Sequence, residues 1–271
     1  MSGLRKVLAF VRRDFRQWGS YRFSVFLQFA AIVFQLMVFF FLSEAVQLRD
    51  ASTILEFTDN YFDFVVIGLG ITGFVSVSLG GFSGQVREAQ ISGTLEALLA
   101  TPTSVFTLVL GSTAWDYFGA TMRFFGTLVI AAFLFEAPIH WENLPAVALV
   151  LALTVAAFSG IGLLSAAFVM VFKRGDPLAQ AVAWFSMLLG GVYFPTAVVH
   201  DPQLEAFAGW IPVTPALRAL RLLLLRGDGF DEIAPLVVRL GAMAFVLVPL
   251  GLAAFRFGLQ RARINGSLTH Y

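Results

Sequence analysis

Long apolar runs alternate along the chain with short polar connections, many of them basic. A helix crosses the hydrocarbon core of a bilayer in about 20 apolar residues. On that ruler the pattern predicts spans at Phe23 to Ser43, Tyr61 to Gly84, Trp115 to Phe135, Leu144 to Phe172, Pro177 to Val198 and Pro235 to Phe257. A transmembrane barrel would show segments of about ten residues alternating in polarity, whereas Ile32 to Leu42 and Leu149 to Phe158 are nearly continuous runs. The expected fold is an all-α membrane protein with six transmembrane helices, one membrane domain over residues 1–271. No internal repeat and no Pro-, Ser- or Gly-rich linker divides it.

Ahead of the first span, Leu4, Val7, Leu8, Val11, Phe15 and Trp18 fall on one helical stripe roughly 100° wide, with Arg5, Lys6, Arg12, Arg13 and Arg16 facing away. Residues 1–22 are therefore expected to lie in the membrane interface as an amphipathic helix. Arg12 and Arg13 would meet anionic headgroups, Phe15 the acyl boundary, and Trp18 the headgroup level. The segment is too long and too patterned for a signal-peptide n-region, and Ser43-Glu44-Ala45 is a poor cleavage site, so the first span is expected to remain as an anchor. Lys and Arg resist translocation. Arg5, Lys6, Arg12, Arg13, Arg16, Arg22, Arg87, Lys173, Arg174, Arg256, Arg261 and Arg263 share one side of this layout, against Arg49, Arg218, Arg221 and Arg226 on the other. Both termini are expected to be cytoplasmic in a multi-pass protein of the cell membrane.

Composition sharpens the class. The chain is 58% hydrophobic and 13% charged, with a mean hydropathy of +0.82, where a soluble domain carries about 25% charged residues. A net charge of +1 gives no reason to expect nucleic acid as a partner. With no cysteine, disulfides, thiolate metal sites and cysteine nucleophiles are excluded. His140, His200 and His270 stand apart, without H-E-x-x-H spacing or a second ligand within a turn, so neither a metal site nor a catalytic constellation is expected. These residues contain no G-x-x-x-x-G-K-[ST] cradle for ATP phosphates, so any ATP-derived energy is expected from another chain. Gly73, Ser76, Gly80 and Gly84 give the second span a small-residue edge, expected to serve packing within the protomer. Asp116 and Arg123 are two turns apart on the third span, too far for an easy direct pair, and are expected to snorkel or to pair with a neighbouring helix. An ion-coupled transporter or a channel is the alternative reading, with Asp116 its main candidate carboxylate; a membrane enzyme lacks an evident nucleophile and base.

Two connections are unusual. Gln85 to Pro102 is too polar to span. On a helix Ile91, Leu95, Leu98 and Leu99 share one face and Arg87, Gln90, Ser92 and Glu96 stay polar, which predicts a short amphipathic helix off the membrane that stops at Thr101-Pro102. Residues 199–234 are broken by Pro202, Pro212 and Pro215, yet Leu204, Phe207, Trp210, Ile211 and Leu220 to Leu225 keep them too apolar for a free aqueous loop.

At these places the chain resembles the ABC type 2 permeases, membrane subunits of ABC exporters. Arg87-Glu88, Gly93-Thr94-Leu95-Glu96, Leu98-Leu99 and Thr101-Pro102 resemble the family's cytoplasmic coupling segment. Gly190-Gly191-Val192-Tyr193-Phe194-Pro195 is similar to its Gly-aromatic-Pro ending of the fifth span, and the likeness continues from Ile211-Pro212-Val213-Thr214-Pro215 through Arg218 and Arg221. The resemblance implies a homodimer, or a heterodimer with a related permease, each copy seated on a separate nucleotide-binding ATPase subunit. That subunit would hold ATP and Mg, leaving this chain with no cofactor of its own. Arg87, Glu88, Gly93, Thr94, Glu96, Leu98 and Pro102 become the ATPase-coupling positions, and residues 199–234 would dip into the outer leaflet as re-entrant helices. A short rigid helix can pass a push between rigid bodies, and Glu88 and Glu96 can pair with basic groups on the partner. The implied cargo is lipid-like, a glycolipid or polysaccharide, or a hydrophobic drug. Its candidate path holds Phe34, Phe62, Phe185, Tyr193 and Phe194, with Arg218 and Arg221 facing phosphate or carboxylate groups; lipid-facing packing and headgroup anchoring would use the same residues.

Overall fold

In a computed structural model of the chain, the helix Tyr61–Ile91 is the most enclosed of the long helices, with Arg22–Ala45, Val105–Leu134 and Leu144–Phe172 packed on it, while Phe230–Ile264 packs on Leu144–Phe172. The structure describes residues 22–45, 57, 58, 60–91, 105–172, 176–195 and 202–264. Helix α1 is Arg22–Ala45, α2 Tyr61–Ile91, α3 Val105–Leu134, α4 Leu144–Phe172 and α5 Pro177–Leu189. Then come α6 at Pro202–Ala208, α7 at Val213–Arg221, a π-helical turn at Leu222–Arg226, and α8 at Phe230–Ile264. No strand occurs among the described residues. The expected interfacial helix with Arg12, Arg13, Phe15 and Trp18 lies outside them, as do Gly93, Thr94, Glu96, Leu98 and Pro102.

Every residue from Tyr61 to Ile71 is buried, which makes α2 the axis of the bundle. In lipid, apolar burial gives little net drive between helices, so close packing of small residues has to do the joining. A Cβ on Gly162 of α4 would collide with the Ser78 carbonyl oxygen of α2, and one on Gly160 or Gly251 would collide with backbone across the α4–α8 seam. These registers run α2, α4 and α8 in one direction. Helix α3 is antiparallel to them, with Gly70 of α2 against Phe124 and Gly81 against Thr113. The Tyr117 hydroxyl sits 3.2 Å from Ser78 Oγ and 3.0 Å from Ser159 Oγ, so one polar knot ties α2, α3 and α4 where no water would satisfy it.

The small-residue edge expected of Gly73, Ser76, Gly80 and Gly84 is only partly used. Gly73 faces Ala120 and Arg123 of α3, but a Cβ on Gly80 or Gly84 would meet nothing within 4 Å, and Ser76 is exposed. The four-residue spacing followed one stripe, whereas the seams of α2 follow Gly70, Gly73 and Gly81 on one side and Ser78, Leu79 and Phe82 on another.

Five described helices are long and apolar enough to cross a membrane. The fifth expected span, Pro177 to Val198, is instead a 13-residue helix that stops at Leu189, about 20 Å long against a core of about 30 Å. Apolar composition carried that expectation past the Gly190-Gly191 pair, where the helix ends. Other helices overrun their expected bounds: α2 continues through residues 85–91, which had been expected to open a separate amphipathic helix, α3 begins at Val105, and α8 starts at Phe230 despite Pro235. Asp231 and Glu232 in the first turn of α8 suit the positive end of a helix dipole.

Candidate functional site

The break after α5 is built from both ends. Asp176 caps the helix by accepting from the Ala179 N–H at 3.0 Å, Pro177 occupies the position where a missing N–H costs nothing, and the Ser165 hydroxyl also bonds the Asp176 carboxylate. At the far end the Gly190 N–H donates to the Ser186 carbonyl at 3.0 Å. The space a Gly190 side chain would need is filled by Val213 of α7, and Gly191 takes φ 83, in the left-handed region that only glycine enters freely. The chain leaves the helix there, and the Val192 carbonyl seats against Gly68 of α2, where any Cβ would collide with it.

Arg221, the last residue of α7, locks this arrangement. It is 4% exposed. Its Nε and Nη2 donate to the Phe64 carbonyl at 3.2 and 3.1 Å, its Nη2 also donates to the Gly191 carbonyl at 2.8 Å, and its guanidinium carbon lies 3.3 Å from the Phe64 ring centroid. A planar fork that donates in its plane and stacks by its face is what arginine offers and lysine does not. One side chain thus joins α7, the core of α2 and the α5 break. Arg221 was expected at the outer surface facing cargo or headgroups; it is enclosed instead, because these carbonyls need a donor that water or lipid does not supply here.

The following segment is held on all sides. Leu222 to Leu225 are buried and Gly227 turns the chain at φ 72. The His140 N–H donates to the Leu224 carbonyl at 2.8 Å, Asn143 Nδ2 to the Asp228 carbonyl at 2.9 Å, and Arg226 pairs with Asp228 at 3.3 Å. Arg239 of α8 lies over Gly209. A π turn departs from regular helix and occurs frequently at functional sites.

The other expected path residues separate into groups. Phe62 is 1% exposed and packs with Phe40 and Phe135 at 5.5 and 5.2 Å, so it belongs to the core and not to a path surface. Tyr193 is half-buried and stacks on Phe39 of α1 at 5.8 Å, and Phe194 stacks on Tyr61 at 6.3 Å. Phe34, Phe185, Phe194 and Arg218 are exposed, as is Trp184. The break therefore sits among the ends of α1, α2 and α7.

At the opposite end of the bundle, Arg87 and Glu88 are exposed on the last turns of α2. Helices α2 and α3 have 31 and 30 residues, about 45 Å each against a core of about 30 Å. Gly81 of α2 lies against Thr113 of the antiparallel α3, so the polar last turns of α2 run level with the first turns of α3, and the two form a two-helix stalk at this end.

Residues 5–225 match the family described as ABC-2 type transporter. Over 206 residues the chain is 26% identical to inner membrane transport permease YadH of Escherichia coli K12, covering 75% of this chain and 77% of that protein. It matches the proteins of the same description in Escherichia coli O157:H7 and Shigella flexneri to the same extent.

Proposed function

The chain belongs to the ABC-2 type transporter family, and on that premise we propose that it is the membrane-spanning permease subunit of an exporter driven by a separate ATPase. The observation that carries the coupling half of this reading is the shared overrun of α2 and α3, with Arg87 and Glu88 exposed at its tip. A stalk of two helices, one of them the axis of the bundle, is suited to receive a push. Movement of α2 would reach the α5 break through the Gly68–Val192 contact and the Arg221 clamp on Phe64 and Gly191. The ATPase would bind ATP and Mg and contact the stalk and residues 92–104 on the cytoplasmic side. Two permease copies would frame the path, as a homodimer or with a related partner.

On this reading α5 and the segment from Gly190 to Pro195 together make the sixth crossing, and α6, α7 and the π turn re-enter the outer leaflet. Buried backbone such as that at Leu222 to Leu225 is tolerable in a membrane only when protein satisfies it. The cargo is amphiphilic or apolar, moved past the outward Phe34, Phe185 and Phe194 by alternating access or lateral extrusion. The test is reconstitution of the complex with its ATPase in liposomes. ATP-dependent transfer of a fluorescent lipid analogue, abolished when the ATPase cannot hydrolyse ATP, is expected. Transfer that ignores ATP and follows an imposed ion gradient would overturn the reading in favour of an ion-coupled transporter.

A further inference from the structure

A cavity of about 410 Å³ opens between α1 and α3, away from the α5 break, and Asp116 and Arg123 both line it. The Nε of Arg123 and the Cβ of Ala120 lie 3.6 and 3.7 Å from the place a Gly73 Cβ would occupy, so Arg123 reaches across the level of Gly73 on α2. An acid and a base on one span border the same cavity, with an amide, Gln28, on its α1 wall. Trp115 and Phe118, stacked at 5.2 Å, add ring faces that attract a cation, while Phe29 and Met122 supply apolar wall.

We propose that this groove binds the headgroup of a zwitterionic, primary-amine phospholipid. The phosphate is held by Arg123, the ammonium by Asp116 and the Trp115–Phe118 rings, and the first acyl carbons run along Phe29 and Met122. Gly81 of α2 lies against Thr113, and the apolar run of α2 gives way to polar residues after Gly84, which puts Asp116 nearer that membrane boundary and Arg123 deeper. The lipid therefore comes from the leaflet at the N-terminal ends of α1 and α3, the cytoplasmic leaflet in the proposed topology. The site uses none of the stalk or break residues. It rests on the chain spanning a membrane and not on ATP-driven export, so the two proposals fail separately.

Native mass spectrometry of the purified full chain, titrated with phosphatidylethanolamine, phosphatidylcholine and phosphatidylglycerol, reads the site directly. Phosphatidylethanolamine is expected to be retained over phosphatidylglycerol, which lacks the cation, and over phosphatidylcholine, whose nitrogen has no N–H to donate. Asp116→Asn should erase the preference over phosphatidylglycerol, and Arg123→Gln should cut retention of all three by about tenfold or more. Gly119→Leu fills the cavity with both charges in place, and because a Cβ there meets nothing within 4 Å it spares the fold. It should lose the bound lipid while keeping the wild-type thermal midpoint. Equal retention of phosphatidylglycerol and phosphatidylethanolamine by the wild type, or undiminished phosphatidylethanolamine in Gly119→Leu, overturns the proposal.

Discussion

Arg221→Lys keeps a positive charge inside the fold but discards the fork that reaches the Phe64 and Gly191 carbonyls together. A hydrogen bond from a charged donor contributes about 1.5–3 kcal/mol, and a desolvated cation–π contact about 2 kcal/mol. An ammonium on a straight stem can keep one carbonyl contact at most, so Arg221→Lys should lose about 2–4 kcal/mol while still carrying the desolvation cost of a buried charge. Arg221→Met leaves the Gly191 carbonyl without its donor, at about 1–3 kcal/mol, but relieves that desolvation cost. The order expected for the thermal midpoint in detergent is wild type, then Met, then Lys. Both variants unpin the break, and since every 1.4 kcal/mol is a factor of ten, amide hydrogen exchange over Gly190 to Phe194 should quicken by about tenfold or more in each. Mass-spectrometric exchange on the full chain measures this segment separately from α2. Exchange at wild-type rates in Arg221→Lys, or a lysine variant more stable than the methionine variant, would refute the clamp.

Gly162→Val forces a side chain into the Ser78 carbonyl and should prise α4 from α2, lowering the thermal midpoint by several degrees, whereas Gly80→Ala, with open space around its Cβ, should leave it unchanged or slightly raised. Tyr117→Phe removes the hydroxyl shared by Ser78 and Ser159 and should cost about 0.5–1.5 kcal/mol, read from chemical unfolding of the detergent-solubilised chain. Asp176→Ala removes the cap of α5, about 0.5–2 kcal/mol, and faster amide exchange confined to the first turn of α5 is its signature.

Span positions were legible because apolar run length maps onto helix length when nothing interrupts the run, and α4 has the expected bounds of Leu144 and Phe172. Where chain punctuation competes with hydropathy, the reading slipped. Gly190-Gly191 is a local stop signal, since Gly191 takes φ 83 just past the last turn of α5, whereas the packing of Val213 into the space beside Gly190 is a contact from a distant segment that no local pattern encodes. Asp176-Pro177 is a local cap-and-start signal, and α5 begins there. Arg221 was marked as functional from its resemblance to a family motif, yet its partners are carbonyls of Phe64 and Gly191, and no side-chain pattern announces a backbone acceptor. Phe62 and Phe34 are alike in sequence terms. Only the docking of Phe40 and Phe135 decides that the first is core and the second exposed. The joint placement of Asp116 and Arg123 on one cavity needed the position of α1, which no spacing on α3 encodes.

The stalk of α2 and α3 stands or falls on which side of the membrane it meets. The sequence contains no cysteine, so Glu88→Cys places a single reactive thiol at its tip. A membrane-impermeant maleimide applied to intact cells should leave it unlabelled, inverted vesicles without the ATPase should label it fully, and adding the ATPase should protect it. Labelling of Glu88→Cys from outside intact cells would put the tip beyond reach of any cytosolic motor and contradict the account.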